Sequence, residues 1–125
     1  MPTTKLYIHC VWGTKRRARV LKQIVLDKLL EHIKRNAKIK GIHIVEINGY
    51  MNHIHCLLSL EEEQPISKVM QLIKGESSFW MNKTKLTQYK FRWAEEYFAA
   101  SVSPTDLVMI RKYIRNQPRH HSANM

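Results

Sequence analysis

Near the middle of the chain, two strand-like runs stand almost end to end, and this constrains the fold more than any other feature. Residues 42–50, "IHIVEINGY", alternate Ile42, Ile44 and Glu46 with His43, Val45 and Ile47, and end in Asn48-Gly49, a dipeptide suited to a tight hairpin turn. The run that follows, through "HIHCLLSL" to Leu60, is again strand-like. Strands this close in sequence pair antiparallel, because a parallel neighbour needs a crossover of about a dozen residues or more. The pair therefore predicts an antiparallel sheet, and the rest of the chain has to supply what covers it.

On the N-terminal side, "KLYIHCVW" (residues 5–12) is β-branched and aromatic, is bounded by Gly13, and predicts another strand. In residues 20–40 the apolar positions Leu21, Val25, Leu29 and Ile33 recur every fourth residue, flanked by Leu26, Leu30 and Ala37. This is an amphipathic helix that stops at Gly41 after a lysine-rich last turn. Beyond the polar "EEEQP", residues 66–82 predict a second helix with Ile66, Val69, Met70 and Ile73 on one stripe. The aromatics of "KFRWAEEYFAA" favour short strands. Ser103-Pro104-Thr105-Asp106 then joins an N-cap serine to a proline at the first helical position, and opens a helix carrying Leu107, Ile110, Tyr113 and Ile114. The order β, α, β, β, α, short β, α predicts one α+β domain over residues 1–125, an antiparallel sheet with packed helices of ferredoxin-like character.

Charge narrows the partner. With 21 Lys and Arg against 10 Asp and Glu, the formal net charge is +11, so the chain repels itself unless a polyanion is its normal partner. Nucleic acid is the first candidate and an acidic membrane surface the second. No run approaches the ~18 apolar residues of a membrane helix. The start "MPTTKLYIHC" lacks a charged-then-apolar leader, which predicts a cytoplasmic protein. Cys10 and Cys56 sit in apolar runs and are read as two core thiols.

Within the second run, His53 and His55 are expected to project from one face of a strand while Asn52, Ile54, Cys56 and Leu58 project from the other. Two imidazoles so placed can share a cation; alone, the pattern equally describes ordinary half-exposed histidines. In "RKYIRNQPRHH", Tyr113 and Gln117 are four apart, on one helical face, so a phenol stands one turn from a neutral amide oxygen able to bind a metal. A tyrosine at this spacing is either core or a nucleophile toward phosphate. A phenol, with a pKa near ~10, needs help to attack, and a divalent ion on the scissile phosphate gives it.

His53-Ile54-His55 together with "YIRNQPRHH" resembles the single-tyrosine HUH transposases of bacterial insertion sequences and their REP-associated relatives. The resemblance extends through "YIHCVWGTKRR", "ISKVMQLIKGESSFWMN" and "FAASVSP". It implies Tyr113 as nucleophile, His53 and His55 as the metal-binding pair, and Gln117 completing the site. It also implies cutting and rejoining of single-stranded DNA at ends marked by subterminal hairpins, through a 5′-phosphotyrosine, with Mg²⁺ or Mn²⁺. The partner it implies for the chain is a second copy, forming a homodimer in which the tyrosine helix of one subunit can serve the other. Two departures stand out: "EEYFAAS" lacks the glycine common in relatives, and Pro118 follows Gln117 directly, disfavouring α conformation there. Two imidazoles also suit Mn²⁺ or Zn²⁺ better than Mg²⁺. The alternatives to a mobile transposase are a non-catalytic single-stranded nucleic-acid-binding protein and a domesticated REP-associated nickase.

Candidate DNA contacts are Lys15, Arg16, Arg17 and Arg19, equally readable as a solvated turn, with Lys74 on the second helix and Arg111 and Arg115 beside Tyr113. Trp80, Tyr89, Phe91, Trp93, Tyr97 and Phe98 offer stacking surfaces to bases, although most are expected in the core. His9 is read as packing or as a support to the site, and His120 and His121 as contacts from the tail.

Overall fold

In the computed structural model, which describes residues 6–117, four strands form one antiparallel sheet: β1 (Leu6–Gly13), β2 (His43–Tyr50), β3 (His53–Leu60) and β4 (Phe98–Val102). Their spatial order is β2-β3-β1-β4. Helix α1 (Gln23–Ile39) joins β1 to β2, α2 (Ile66–Thr84) lies between β3 and β4, and α3 (Leu107–Arg115) ends the described chain. The predicted α+β architecture is the one observed.

Strand alternation sorts the two faces. Ile8, Cys10 and Trp12 of β1 and Ile54, Cys56 and Leu58 of β3 turn into one core with Leu26, Leu29 and Ile33 of α1 and Val69, Met70 and Ile73 of α2. Burial of each such aliphatic side chain contributes roughly 1.5–3 kcal/mol. Trp93 closes this core: it meets Trp12 edge-on at 5.9 Å, and its indole N–H donates to Ser77 Oγ at 3.0 Å. The two cysteines are buried free thiols, paired across β1 and β3. On the other face lie His9, His53, His55 and Leu57, and there α3 packs, its Ile114 completely buried.

The hairpin turns later than Asn48-Gly49 predicts. Tyr50 pairs with His53, so Met51 and Asn52 make the turn, and Met51 has a positive φ of 24°. Gly49 serves close packing instead: a Cβ on it would lie 2.5 Å from the His53 carbonyl oxygen and 2.8 Å from Ile54 Cδ1. The strict alternation read in residues 42–50 also fails, because the register with β3 shifts between Ile44 and Glu46. A bulge of this kind re-aims side chains. It lets Ile44 and Ile47 both pack on the helical core, and it turns Glu46 toward α3.

Two helix boundaries move, and the predicted short strands shrink. The first helix begins at Gln23, not residue 20, because Leu21 N–H donates to the Met51 carbonyl at 2.8 Å and holds that segment against the hairpin. The second runs two residues further, to Thr84. Between it and β4 the predicted strands reduce to a single bridge, Thr14 with Trp93. Of the six aromatics expected mostly in the core, only Phe91 and Trp93 are buried; Trp80 is half-buried, and Tyr89, Tyr97 and Phe98 are exposed.

Candidate nucleophile and metal centre

β3 is a central strand, and its two histidines face α3. His55 is nearly buried and pairs with Val11 and Asn48 on the neighbouring strands, while His53 stands at the hairpin end beside Gly13 and Tyr50. α3 is moored over them from β2. Arg111 Nε and Arg115 Nη2 both reach Glu46 Oε1, at 3.3 and 3.0 Å, and Asn48 Nδ2 donates to the Arg115 carbonyl at 2.9 Å. This mooring brings the Tyr113 ring edge-on to His55, with centroids 5.5 Å apart, and 6.3 Å from His9. Tyr113 is 43% exposed, whereas Gln117, just past the helix, is 1% exposed.

Polar partners orient the donors. Asn52 Nδ2 donates to the Arg17 carbonyl at 3.3 Å, which turns its Oδ1 toward His53 Nδ1 at 2.8 Å. In the neutral tautomer with the proton on Nδ1, Nε2 is an acceptor. Gln117 Nε2 donates to the Tyr113 carbonyl at 3.3 Å, which turns its Oε1 toward His53 Nε2 at 3.4 Å. Two acceptors facing each other in a part-buried site repel unless a proton or a cation lies between them. His55 Nδ1 lies 2.9 Å from His9 Nε2, with the rings stacked. Burial lowers the pKa of His9, so a neutral imidazole meets His55 there.

These residues fit a divalent cation. Among the described residues no group of three His, Cys, Asp or Glu is placed to hold a metal ion, and the oxygen donor beside His53 is the Gln117 amide. Two imidazoles and an amide make a neutral nitrogen and oxygen set suited to first-row divalent ions.

The basic candidates divide by location. Lys15, Arg16 and Arg17 form an exposed 3-10 turn after β1, with Arg16 and Arg17 at φ of 57° and 54°, and Arg19 is exposed just beyond it. Lys74 points inward: its ammonium donates to the carbonyls of Ala94, Glu95 and Glu96 at 2.7, 2.9 and 3.3 Å. Burial lowers its pKa, partly offset by Glu95 and Glu96. Arg111 and Arg115 share Glu46. His120, His121 and Pro118 lie outside the described residues.

Sequence reasoning missed Glu46, Asn48 and Asn52. Asn52 has a local signal, an amide directly before the His-x-His pattern. Glu46 and Asn48 have none, since their partners lie 65 to 69 residues away.

A histidine pair on a central strand beneath a tyrosine-bearing helix defines the HUH class of fold. Comparison with known proteins narrows it. Residues 2–117 match the family described as "Transposase IS200 like", and the chain belongs to that family. It is 29% identical over 119 residues to the ISDra2 transposase TnpA of Deinococcus radiodurans, covering 90% of this chain and 84% of the relative. The crystal structure of a chain assigned as a transposase in Deinococcus radiodurans R1 superposes with a TM-score of 0.74 at 26% identity, over 93% of each chain. A REP-associated tyrosine transposase bound to a REP hairpin shares the fold with a TM-score of 0.71 at 17% identity, over 97% of this chain and 72% of the other. No helix among the described residues is long and apolar enough to cross a membrane.

Proposed function

We propose that this transposase cuts and rejoins single-stranded DNA with Tyr113 as the nucleophile. The observation that carries the reading is the placement of the Tyr113 ring 5.5 Å from His55 within one chain, beside the facing atoms of His53 and Gln117. Tyr113 Oη gives up its proton and forms a bond to the scissile phosphorus as the bond from phosphorus to the 3′ oxygen breaks. That oxygen takes a proton and leaves as a 3′-hydroxyl, while the other strand end stays on Tyr113 as a 5′-phosphotyrosine. A second 3′-hydroxyl then attacks the phosphotyrosine, and the phenolate departs, so rejoining needs no nucleotide cofactor.

His53, His55 and Gln117 hold Mg²⁺ or Mn²⁺ in this reading. When bound, the ion supplies positive charge to the phosphate oxygens, little reduced by a neutral donor set. His55 offers Nε2 to it when its Nδ1–H donates to His9, and His53 offers Nε2 when Asn52 takes its Nδ1–H. Lys15, Arg16, Arg17 and Arg19 contact phosphates, whereas Lys74 fastens the segment before β4 and Arg111 and Arg115 hold α3. The hairpin bound to the REP-associated transposase supports element ends marked by hairpins. A homodimer is supported by the position of β4 at the sheet edge among the described residues and by Phe98, Val108 and Met109, which are 57%, 76% and 62% exposed.

The test is a denaturing gel of the protein incubated with single-stranded end DNA and Mn²⁺. A covalent adduct is expected from the wild type and none from Tyr113→Phe; an equally strong adduct from that variant overturns the assignment.

A further inference from the structure

A cavity of about 680 Å³, not lined by Tyr113, lies between the turn after β1, the start of α1 and residues 86–92. Its rim carries Lys15, Arg16, Arg19, Lys22, Lys90 and Arg92, all exposed, and nothing acidic lines it. Val25, Leu86 and Phe91 give it an apolar floor, and the ring of Tyr89, 79% exposed, stands at its side. An apolar, aromatic hollow inside a ring of cations is complementary to a flat ring flanked by negative charge.

The walls are built rather than incidental. Lys15 N–H donates to the Arg92 carbonyl at 2.9 Å, joining the two basic segments, and Thr14 Oγ1 donates to the Ala18 carbonyl at 2.7 Å, closing the turn. Arg16 and Arg17 are held left-handed, a conformation that non-glycine residues keep only where their surroundings impose it. One side chain connects this turn to the site, since Asn52 bonds the Arg17 carbonyl and His53 Nδ1 together.

We propose that this cavity seats one unpaired nucleobase of the bound single strand, stacked on Tyr89, with the flanking phosphates on Arg16, Arg19, Lys90 and Arg92. The proposal rests on the single-strand reading above and adds a base-binding seat to it. The phosphates supply sequence-independent affinity, and the seat supplies a preference for a strand that has bases over one that does not.

The experiment compares a fluorescein-labelled oligothymidylate with an abasic oligodeoxynucleotide of the same length, titrated in EDTA so that neither is cut. Wild type is expected to prefer the base-bearing strand, and Tyr89→Ala to lose about 5- to 150-fold of that preference, the stacking range for one base. Arg16→Ala with Arg92→Ala is expected to weaken both strands and to lower the salt slope by ~0.7 for each phosphate contact removed. A 5-iodouracil oligonucleotide should photocrosslink to Tyr89, read by mass spectrometry. An unchanged preference in Tyr89→Ala, with crosslinks only elsewhere, overturns the seat, even if Tyr113 still forms its adduct. Competition by thymidine 5′-monophosphate as strong as that by the oligonucleotide also overturns it, assigning the cavity to a free nucleotide. Failure of the wild type to bind either strand overturns the single-strand reading itself. Tyr89 is exposed, so an unchanged circular-dichroism melt confirms that its variant is folded.

Discussion

His53 Nε2 and Gln117 Oε1 face each other across 3.4 Å, although 64 residues separate them in the chain. Each is aimed by a bond made on its other side, His53 by Asn52 and Gln117 by the Tyr113 carbonyl. The relative placement of these two atoms therefore depends on Asn52 and on the Tyr113 backbone.

Removing those supports should weaken metal binding without unfolding the protein. Asn52→Ala and His9→Ala are each expected to lower Mn²⁺ affinity by about 10- to 100-fold, the usual loss for partners that orient metal-bound histidines. Isothermal titration of Mn²⁺ measures this, and His9→Gln, which keeps a polar acceptor, should recover part of the loss. Unchanged affinity in both alanine variants would rule out the orienting role.

Glu46 holds two arginines of α3 at the surface, so its contribution to stability is small and its contribution to placement is large. Glu46→Ala should cost at most about 1 kcal/mol for each exposed pair in urea denaturation. The rate of adduct formation should fall by a larger factor, because Tyr113 loses two of its tethers to β2. Equal losses in stability and rate would refute the mooring.

Gly49→Ala forces a methyl group against the His53 carbonyl and the Ile54 side chain. The expected cost is about 1–3 kcal/mol, as for other overpacked core positions. A lowered denaturation midpoint with unchanged slope is the expected reading, and a neutral Gly49→Ala would mean that β2 and β3 separate easily here.

Burial pushes the Cys10 thiol up to about 12, and raises Cys56 well above its ordinary value, first through burial and then through Cys10. A thiol raised on folding adds stability that is fully present below its unfolded value of 9.0 and is lost as pH climbs through the folded value. Stability should therefore decline from about pH 9 upward, and replacing both cysteines by alanine should flatten that decline. At pH 8, alkylation by iodoacetamide should be slow in the native protein and rapid in urea.

Much of the fold was legible because local signals agreed with one another. The fourfold spacing of Leu21, Val25, Leu29 and Ile33, the serine and proline before α3, and the apolar face of β3 each act within a few residues. Asn48-Gly49 misled because the same dipeptide meets two different needs. It suits a tight turn, but here the asparagine fastens α3 and the glycine yields space to β3. The bulge at Val45 was invisible for a related reason: its benefit, Ile47 inward and Glu46 toward Arg111 and Arg115, appears only once β3 and α3 are in place.

By itself the sequence determined that His53 and His55 share one strand face and that Tyr113 and Gln117 stand one helical turn apart, because strand and helix periods act over short distances. Only the tertiary structure decided that the two pairs meet within one chain, that His9 and Asn52 aim the imidazoles, and that Lys74 turns inward to three carbonyls while the basic turn faces a cavity. Those outcomes depend on strand register, a bulge and a helix docked from 64 or more residues away, and hydrogen bonds across such separations leave no periodic trace in the chain.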